Sequence, residues 1–270
     1  MWQMKITKHA MYNDISYTRG CVPQYIQWVQ EGGELDCYVD SYVTTEILAE
    51  KSIAMLIEPR PIQPSIYEYM EKNGHRFRYV FTHDSKLLKV LDNSKLILFG
   101  GVYDEYVESK TKDISMVSSN KEMCPLHIVR KELCKVLKDN PKVDCYGTFD
   151  GGKKQVTQKI LSPYKYSIVI ENYIDDYWFT EKICNCFANR VIPIYYGAKK
   201  ITEFFNPLGI IKLDDPFDVI EVVNTLDVNK DYLRRLSGVI YNHELVKRFR
   251  CFEDWFHSEY EELLEEMINE

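Results

Sequence analysis

No stretch of this chain approaches the ~20 consecutive apolar residues of a membrane span. The first twenty residues, polar and mixed, lack the apolar core of a signal peptide. The chain reads as soluble and cytoplasmic as given; a membrane-anchored enzyme with its anchor trimmed away would read the same. No Lys/Arg-rich run stands out against the net charge of −7. That argues against a partner bound through a nucleic-acid backbone. It leaves room for a small anionic ligand, because a few local cations suffice for one diphosphate. There is no CxxC pair and no zinc spacing with histidine among the eight scattered cysteines, Cys21, Cys37, Cys124, Cys134, Cys145, Cys184, Cys186 and Cys251. They read as free thiols in a reducing compartment rather than as a secreted disulfide framework. There is no internal repeat and no low-complexity tract.

What is present is an ordinary globular composition, 45% apolar and 28% charged over 270 residues, enough for one large domain or two small ones. The 20 tyrosines are many. A flat apolar face with one polar tip suits sugar and base contacts, and it equally suits core and surface.

Short apolar runs alternate with helical patterns. Leu35 to Val39, Ser52 to Ile57, Arg78 to Thr82 and Leu96 to Phe99 read as strands, with helices at Pro64 to Lys72 and Ser85 to Leu91. A polar stretch, 104–113, then reads as a linker. The rhythm restarts with strands at Ile114–Val117, Val143–Tyr146, Tyr166–Ile170, Val191–Tyr195 and Ile210–Leu213, and helices at Leu126–Leu137 and Thr180–Ala188. Phe217 to Thr225 and Lys230 to Tyr241 read as helical, and His243 to Asn269 as a long acidic closing helix, broken at most once. This β-α-β order predicts mostly parallel sheets in two Rossmann-like halves. Residues 1–105 form the first and 106–245 the second; the helix at 246–270 is free to pack back on the first. Ligands of such folds sit beyond the carboxyl ends of the strands. Those ends carry Glu58, Ser118-Ser119-Asn120, Gly147, Glu171-Asn172 and Gly197.

The most informative segment is Tyr164 to Ala198, YKYSIVIENYIDDYWFTEKICNCFANRVIPIYYGA. A strand delivers Glu171 and Asn172; a loop follows; Thr180-Glu181-Lys182 opens a helix. Thr180 suits an N-cap and Glu181 suits the first turn. Lys182 opposes the helix dipole there. It is either a solvated surface lysine or, with the free N–H groups, part of an anion site. Asp214-Asp215 reads as a turn more readily than as a metal site. His83 suits either an acceptor site or a cap or core position.

The pattern IENYIDDYWFTEK followed by VIPIYYGA resembles the donor-binding motif of glycosyltransferase family 10, the α1,3/4-fucosyltransferases, down to the step from Asn172 to Glu181. Upstream, Val117-Ser118-Ser119-Asn120, Arg130 and Val143-Asp144-Cys145-Tyr146-Gly147 resemble the family's SN…R…VDxYG block. LIEPRPIQPSIYEY…FRYVFTHD resembles its acceptor half. The match spans roughly residues 50 to 215.

The resemblance implies an α/β GT-B fold, two Rossmann-like domains facing each other across a cleft. It implies an inverting transferase that moves fucose from GDP-fucose to a hydroxyl of an oligosaccharide or glycoconjugate, with no cofactor required and no metal ligand assigned. Carried over, Glu58 is the catalytic base, and Arg130 and Lys182 hold the diphosphate. Glu181 bonds the ribose or the transferred sugar, and Asn172 fixes the loop over the nucleotide. Ser118, Asn120 and Gly147 lie in strand-end loops beside the diphosphate. Trp178 stands where the family usually has Tyr, with Tyr177 before it, so either ring is placed to cover the nucleotide. Glu58-Pro59-Arg60 replaces the usual Glu-Ser-Pro. Two alternatives share the scaffold: another GDP-sugar as donor, or a catalytically silent nucleotide- or glycan-binding relative.

Overall fold

Strands apolar on both faces need cover on both faces, which in one chain means parallel strands with helical crossovers. Ser52–Leu56 is buried at every position, and Tyr164–Ile170 at all but one. The structure is a computed structural model that describes residues 3–11, 21–46, 48–103, 105 and 107–270, with the backbone alone at 157 and 158. Its chain divides into one unit of Met1–Phe99 with Phe249–Glu270 and another of Gly100–Arg248.

The first unit holds a six-stranded sheet, every pairing parallel: β1 (Met4–His9), β2 (Ile26–Val29), β3 (Leu35–Val39), β4 (Ser52–Leu56), β5 (Tyr79–Thr82) and β6 (Ser94–Leu96), in the order β2-β1-β3-β4-β5-β6. Helices α1 (Pro64–Asn73) and α2 (Leu87–Val90) supply crossovers, and Tyr67, Met70, Leu87 and Leu91 pack against Ala54, Leu56 and Val80 of the sheet. Pro64 opens α1 at a position where its missing N–H costs nothing. The closing helix, Phe252–Asn269, belongs to this unit. It sets Phe256 edge-on to Phe81 at 4.8 Å and sends Glu253 to the Trp28 indole N–H at 2.9 Å. Each such fully buried aromatic contributes roughly 1.5–3 kcal/mol.

The second unit holds β7 (Lys112–Ser118), β8 (Val143–Gly147), β9 (Tyr164–Ile170), β10 (Ile192–Tyr196) and β11 (Ile211–Lys212), again all parallel, in the order β11-β10-β9-β7-β8. Its helices are α3 (Pro125–Leu137), α4 (Thr157–Leu161), α5 (Glu181–Ala188), α6 (Val219–Thr225) and α7 (Val228–Leu245). Two parallel-sheet α/β units are the make-up expected of a GT-B fold.

The structure departs from the sequence reading in four places. It adds β1 and β2 near the N-terminus and α4 before β9. The strand expected at Leu96–Phe99 is paired instead at Ser94–Leu96; the Ile97 N–H makes a last bond to the Thr82 carbonyl at 3.0 Å, and Leu98, although buried, lies past the ladder. The helix expected at His243–Asn269 is two: α7 runs to Leu245, and a 3₁₀ turn at Val246–Phe249 separates it from Phe252–Asn269. The closing helix itself bends at Tyr260 (φ −132°, ψ 15°), whose hydroxyl reaches the Leu96 carbonyl.

Candidate active site

All strands of the second unit run the same way, so their carboxyl ends share one edge. Register places Ser118 opposite Gly147 and Ile170 opposite Tyr196, and Met116 opposite Ile168 two residues earlier. Ser118, Gly147, Ile170 and Tyr196 therefore end level across the sheet, and the residues just past them share one rim.

Glu171 follows β9 there, fully buried. Its carboxylate accepts from the Thr180 backbone N–H at 3.0 Å, from the Thr180 hydroxyl, and from Lys182 Nζ at 3.1 Å. Thr180 adopts the extended conformation of an N-cap; its Oγ1 accepts from the Lys182 N–H at 3.4 Å and from Lys182 Nζ at 2.8 Å. The buried acid thus fixes both the start of α5 and the first lysine on it. Burial works against the Lys182 charge, but the Glu171 and Glu181 carboxylates outweigh it and hold the ammonium above the usual lysine range. The Lys182 and Glu181 side chains are 31% and 33% exposed, so both remain reachable by a ligand.

Arg130, on α3, is 7% exposed. Its Nη1 donates to the Ile170 carbonyl at 2.8 Å, and its Nε is buried with no partner among the described residues. Burial presses its pKa down while Glu171 pulls the other way. A buried guanidinium with a donor unfilled is a place for an acceptor that the chain itself does not supply.

His127 and Cys124 complete the cluster. The Cys124 thiol donates to the Asn172 carbonyl at 3.1 Å and lies 3.2 Å from His127 Nδ1. With the thiol hydrogen on Asn172, Nδ1 is the donor to sulfur. Burial, with Arg130, Lys121 and Lys182 nearby, pushes the His127 imidazole down to about 4, so it is neutral at pH 7. Arg130, Lys121 and Lys182 all act on this one imidazole, so three cations lie near it beside the carboxylates of Glu171 and Glu181.

The structure thus gathers Arg130, Asn172, Glu181 and Lys182 around Glu171. The other sequence candidates sit as follows. Asn172 Oδ1 accepts from the indole N–H of Trp178 at 2.8 Å; Trp178 is buried, so it ties the loop from Asn172 to Trp178 closed. Tyr177 faces Lys200, whose Nζ donates to its hydroxyl at 2.9 Å and stands 4.8 Å over its ring. Gly147 has φ +107°, and a Cβ there would lie 2.1 Å from the Ser118 carbonyl oxygen. Ser118 is buried, and exposed Asn120 bonds through its N–H to Thr148 Oγ1 at 3.1 Å. Gly197 is required in its turn: a Cβ would meet Tyr195 Oη at 2.2 Å and Glu171 Cγ at 2.7 Å. Asp215 caps a 3₁₀ turn in a reciprocal box with Asp218, as a turn residue should.

In the first unit, Glu58 is exposed just past β4 and its carboxylate makes no ion pair among the described residues. Arg60, two residues on, forks onto Asp84 at 2.8 and 2.7 Å and reaches Glu71 at 2.8 Å. Lys51 donates to the Ile268 carbonyl. His83 is a core histidine beside the Tyr67 hydroxyl at 3.3 Å, and burial pushes it down to about 3.

Sequence reasoning passed over Glu171 as a hub, and over His127 and Cys124. The signal for Glu171 was available: an acid directly after an apolar strand, eleven residues before a lysine, has no apolar role. Nothing in the local sequence distinguished His127.

Comparison with known proteins bears on the same region. Residues 107–236 match the family model described as glycosyltransferase family 10 (fucosyltransferase) C-term. A 3-galactosyl-N-acetylglucosaminide 4-alpha-L-fucosyltransferase of Bos taurus is 29% identical over 149 residues, 53% of this chain and 40% of the bovine protein. An alpha-(1,3)-fucosyltransferase of Helicobacter pylori is 30% identical over 87 residues, 32% of this chain and 18% of that one. The chain therefore spans less than half the length of these curated relatives. Among solved structures, an alpha1,3-fucosyltransferase with GDP superposes with TM-score 0.56 at 16% identity, covering 93% of this chain and 92% of that one.

Proposed function

From the family 10 glycosyltransferase domain carried by residues 107–236, we propose that this chain is an inverting fucosyltransferase that takes GDP-fucose as donor and a glycan or glycoconjugate hydroxyl as acceptor. The observation that carries the reading is the pairing of Arg130, buried with Nε unfilled, with the half-open Lys182 at the carboxyl edge of the second sheet. A diphosphate oxygen offers the acceptor that Arg130 lacks, and the two cations match its charge. The fucosyl and GDP assignments follow the names of the relatives and of the structural neighbour.

Each group has one role. Glu58 takes the proton from the acceptor hydroxyl as that oxygen forms its bond to the anomeric carbon. The bond from that carbon to the β-phosphate oxygen breaks, and GDP leaves with the electron pair. Arg130 and Lys182 stabilise the charge on the departing diphosphate, an interaction stronger in the transition state than before it. Glu171 holds Lys182 and the start of α5. Glu181 lies open to the ribose or the sugar, and Asn172 with Trp178 holds the loop. Ser118, Asn120, Gly147 and Tyr177 belong to the surrounding donor loops.

The test is GDP release from GDP-fucose, with and without a galactosyl-N-acetylglucosaminide as acceptor. Glu58→Gln should lower kcat by roughly a hundredfold or more while leaving GDP affinity within about twofold. Wild-type turnover in that variant removes Glu58 from the mechanism.

A further inference from the structure

Among the described residues the side chain of Glu58 makes no ion pair and no hydrogen bond, so its position is set through its backbone. That backbone is held from outside. Asp40 Oδ1 accepts from the Ile57 N–H at 2.8 Å and from the Glu58 N–H at 3.1 Å, and the Tyr67 hydroxyl donates to the Glu58 carbonyl at 2.7 Å. Asp40 directly follows β3, whose Val39 pairs with Met55, so it stands level with Leu56, just short of the residues it holds. To do so it takes φ +50°, a left-handed conformation that an L-residue avoids and that Asp, Asn and Gly tolerate best. Residues held in such conformations concentrate at functional sites, because the surrounding structure must over-determine them.

We propose that Asp40 is the positioning residue of the Glu58 carboxylate, its Oδ1 clamping the two consecutive N–H groups that aim Glu58 outward from the end of β4. This rests on the reading of Glu58 as the base. Two further observations support it. Burial pushes the Asp40 carboxyl up to about 7 despite the two N–H groups, and the Glu58 charge adds to the rise, so an acid is retained there at a cost that an ordinary turn would not need. Arg60, the cation nearest in sequence, is fully engaged by Asp84 and Glu71, which leaves the Glu58 carboxylate clear.

The test separates the clamp from the backbone conformation. Asp40→Gly relieves the left-handed strain and deletes the acceptor, whereas Asp40→Asn keeps both the acceptor oxygen and a residue tolerant of the conformation. A misplacement of about 1 Å in a reacting group costs on the order of a hundredfold. The expected result is a kcat lowered roughly 10- to 100-fold in Asp40→Gly with KM for GDP-fucose and GDP affinity unchanged, and a kcat within about threefold of wild type in Asp40→Asn. If Asp40→Gly does not fold, Asp40→Ser takes its place, its hydroxyl being too short to reach both N–H groups. Wild-type kcat in the clamp-deleted variant, with Glu58→Gln inactive, overturns the proposal and leaves the base assignment standing. An Asp40→Asn kcat as low as that of Asp40→Gly also overturns it. An active Glu58→Gln overturns the base assignment, and the proposal with it.

Discussion

If Glu171 is the buried hub that holds Lys182, deleting both partners should cost less than the sum of deleting each alone. The perturbation is Glu171→Gln, Lys182→Met and the double variant. Glu171 is fully buried and accepts from the Thr180 N–H and hydroxyl and from Lys182 Nζ, so Gln removes the charge and turns one acceptor into a donor facing Thr180 Oγ1 and Lys182. Breaking one side of a buried pair costs about 3–5 kcal/mol. Lys182 retains Thr180 Oγ1 at 2.8 Å and Glu181 at 3.7 Å, and its side chain is 31% exposed, so solvent screens part of the loss. We expect Glu171→Gln to lose about 3 kcal/mol and Lys182→Met about 2 kcal/mol, with the double variant losing about 2 kcal/mol less than their sum. The assay is urea unfolding followed by fluorine NMR of fluorotryptophan-labelled protein. Trp178 is the one tryptophan within residues 100–248, so its resonance reports the second unit alone. Losses additive within about 0.5 kcal/mol refute the hub.

Gly147→Ala should be severe, because its Cβ would sit 2.1 Å from the Ser118 carbonyl at φ +107°. We expect a loss of about 3 kcal/mol or more in the same assay, and a loss below about 1 kcal/mol contradicts the reading. His127 should make the protein acid-sensitive. Its folded value of about 4 lies below the unfolded value of ~6.5, so the unfolded chain binds the proton first. Its contribution is present above about pH 6.5 and lost as pH falls toward 4. Between pH 7 and 5 wild type should lose about 2 kcal/mol more than His127→Gln. Equal losses contradict the burial of a neutral imidazole.

The second unit was the more legible half. β9, the Thr180 cap and α5 follow from an apolar run, a hydroxyl residue and a helical period, and they lie where the sequence reading put them. β1 was hidden because Lys8, buried in the strand with its Nζ 5.2 Å over the Trp28 ring, makes MKITKH look like surface. Glu171 could be suspected from its place after an apolar strand, but its partners, like those of Asp40, could not be read. Each acts on a segment 9 to 18 residues away through hydrogen bonds that local pattern does not encode. The loop that opens α5 brings Thr180 back to Glu171, and the parallel register brings Asp40 to the end of β4.

The central claim is a diphosphate site at Arg130 and Lys182, and calorimetric titration tests it most directly. Wild-type protein should bind GDP at least tenfold more tightly than guanosine or UDP, with the advantage over guanosine shrinking as salt rises. Arg130→Gln/Lys182→Met should lose about 3 kcal/mol of GDP affinity and little of its guanosine affinity. GDP binding no tighter than UDP, or unchanged in the double variant, would contradict the account.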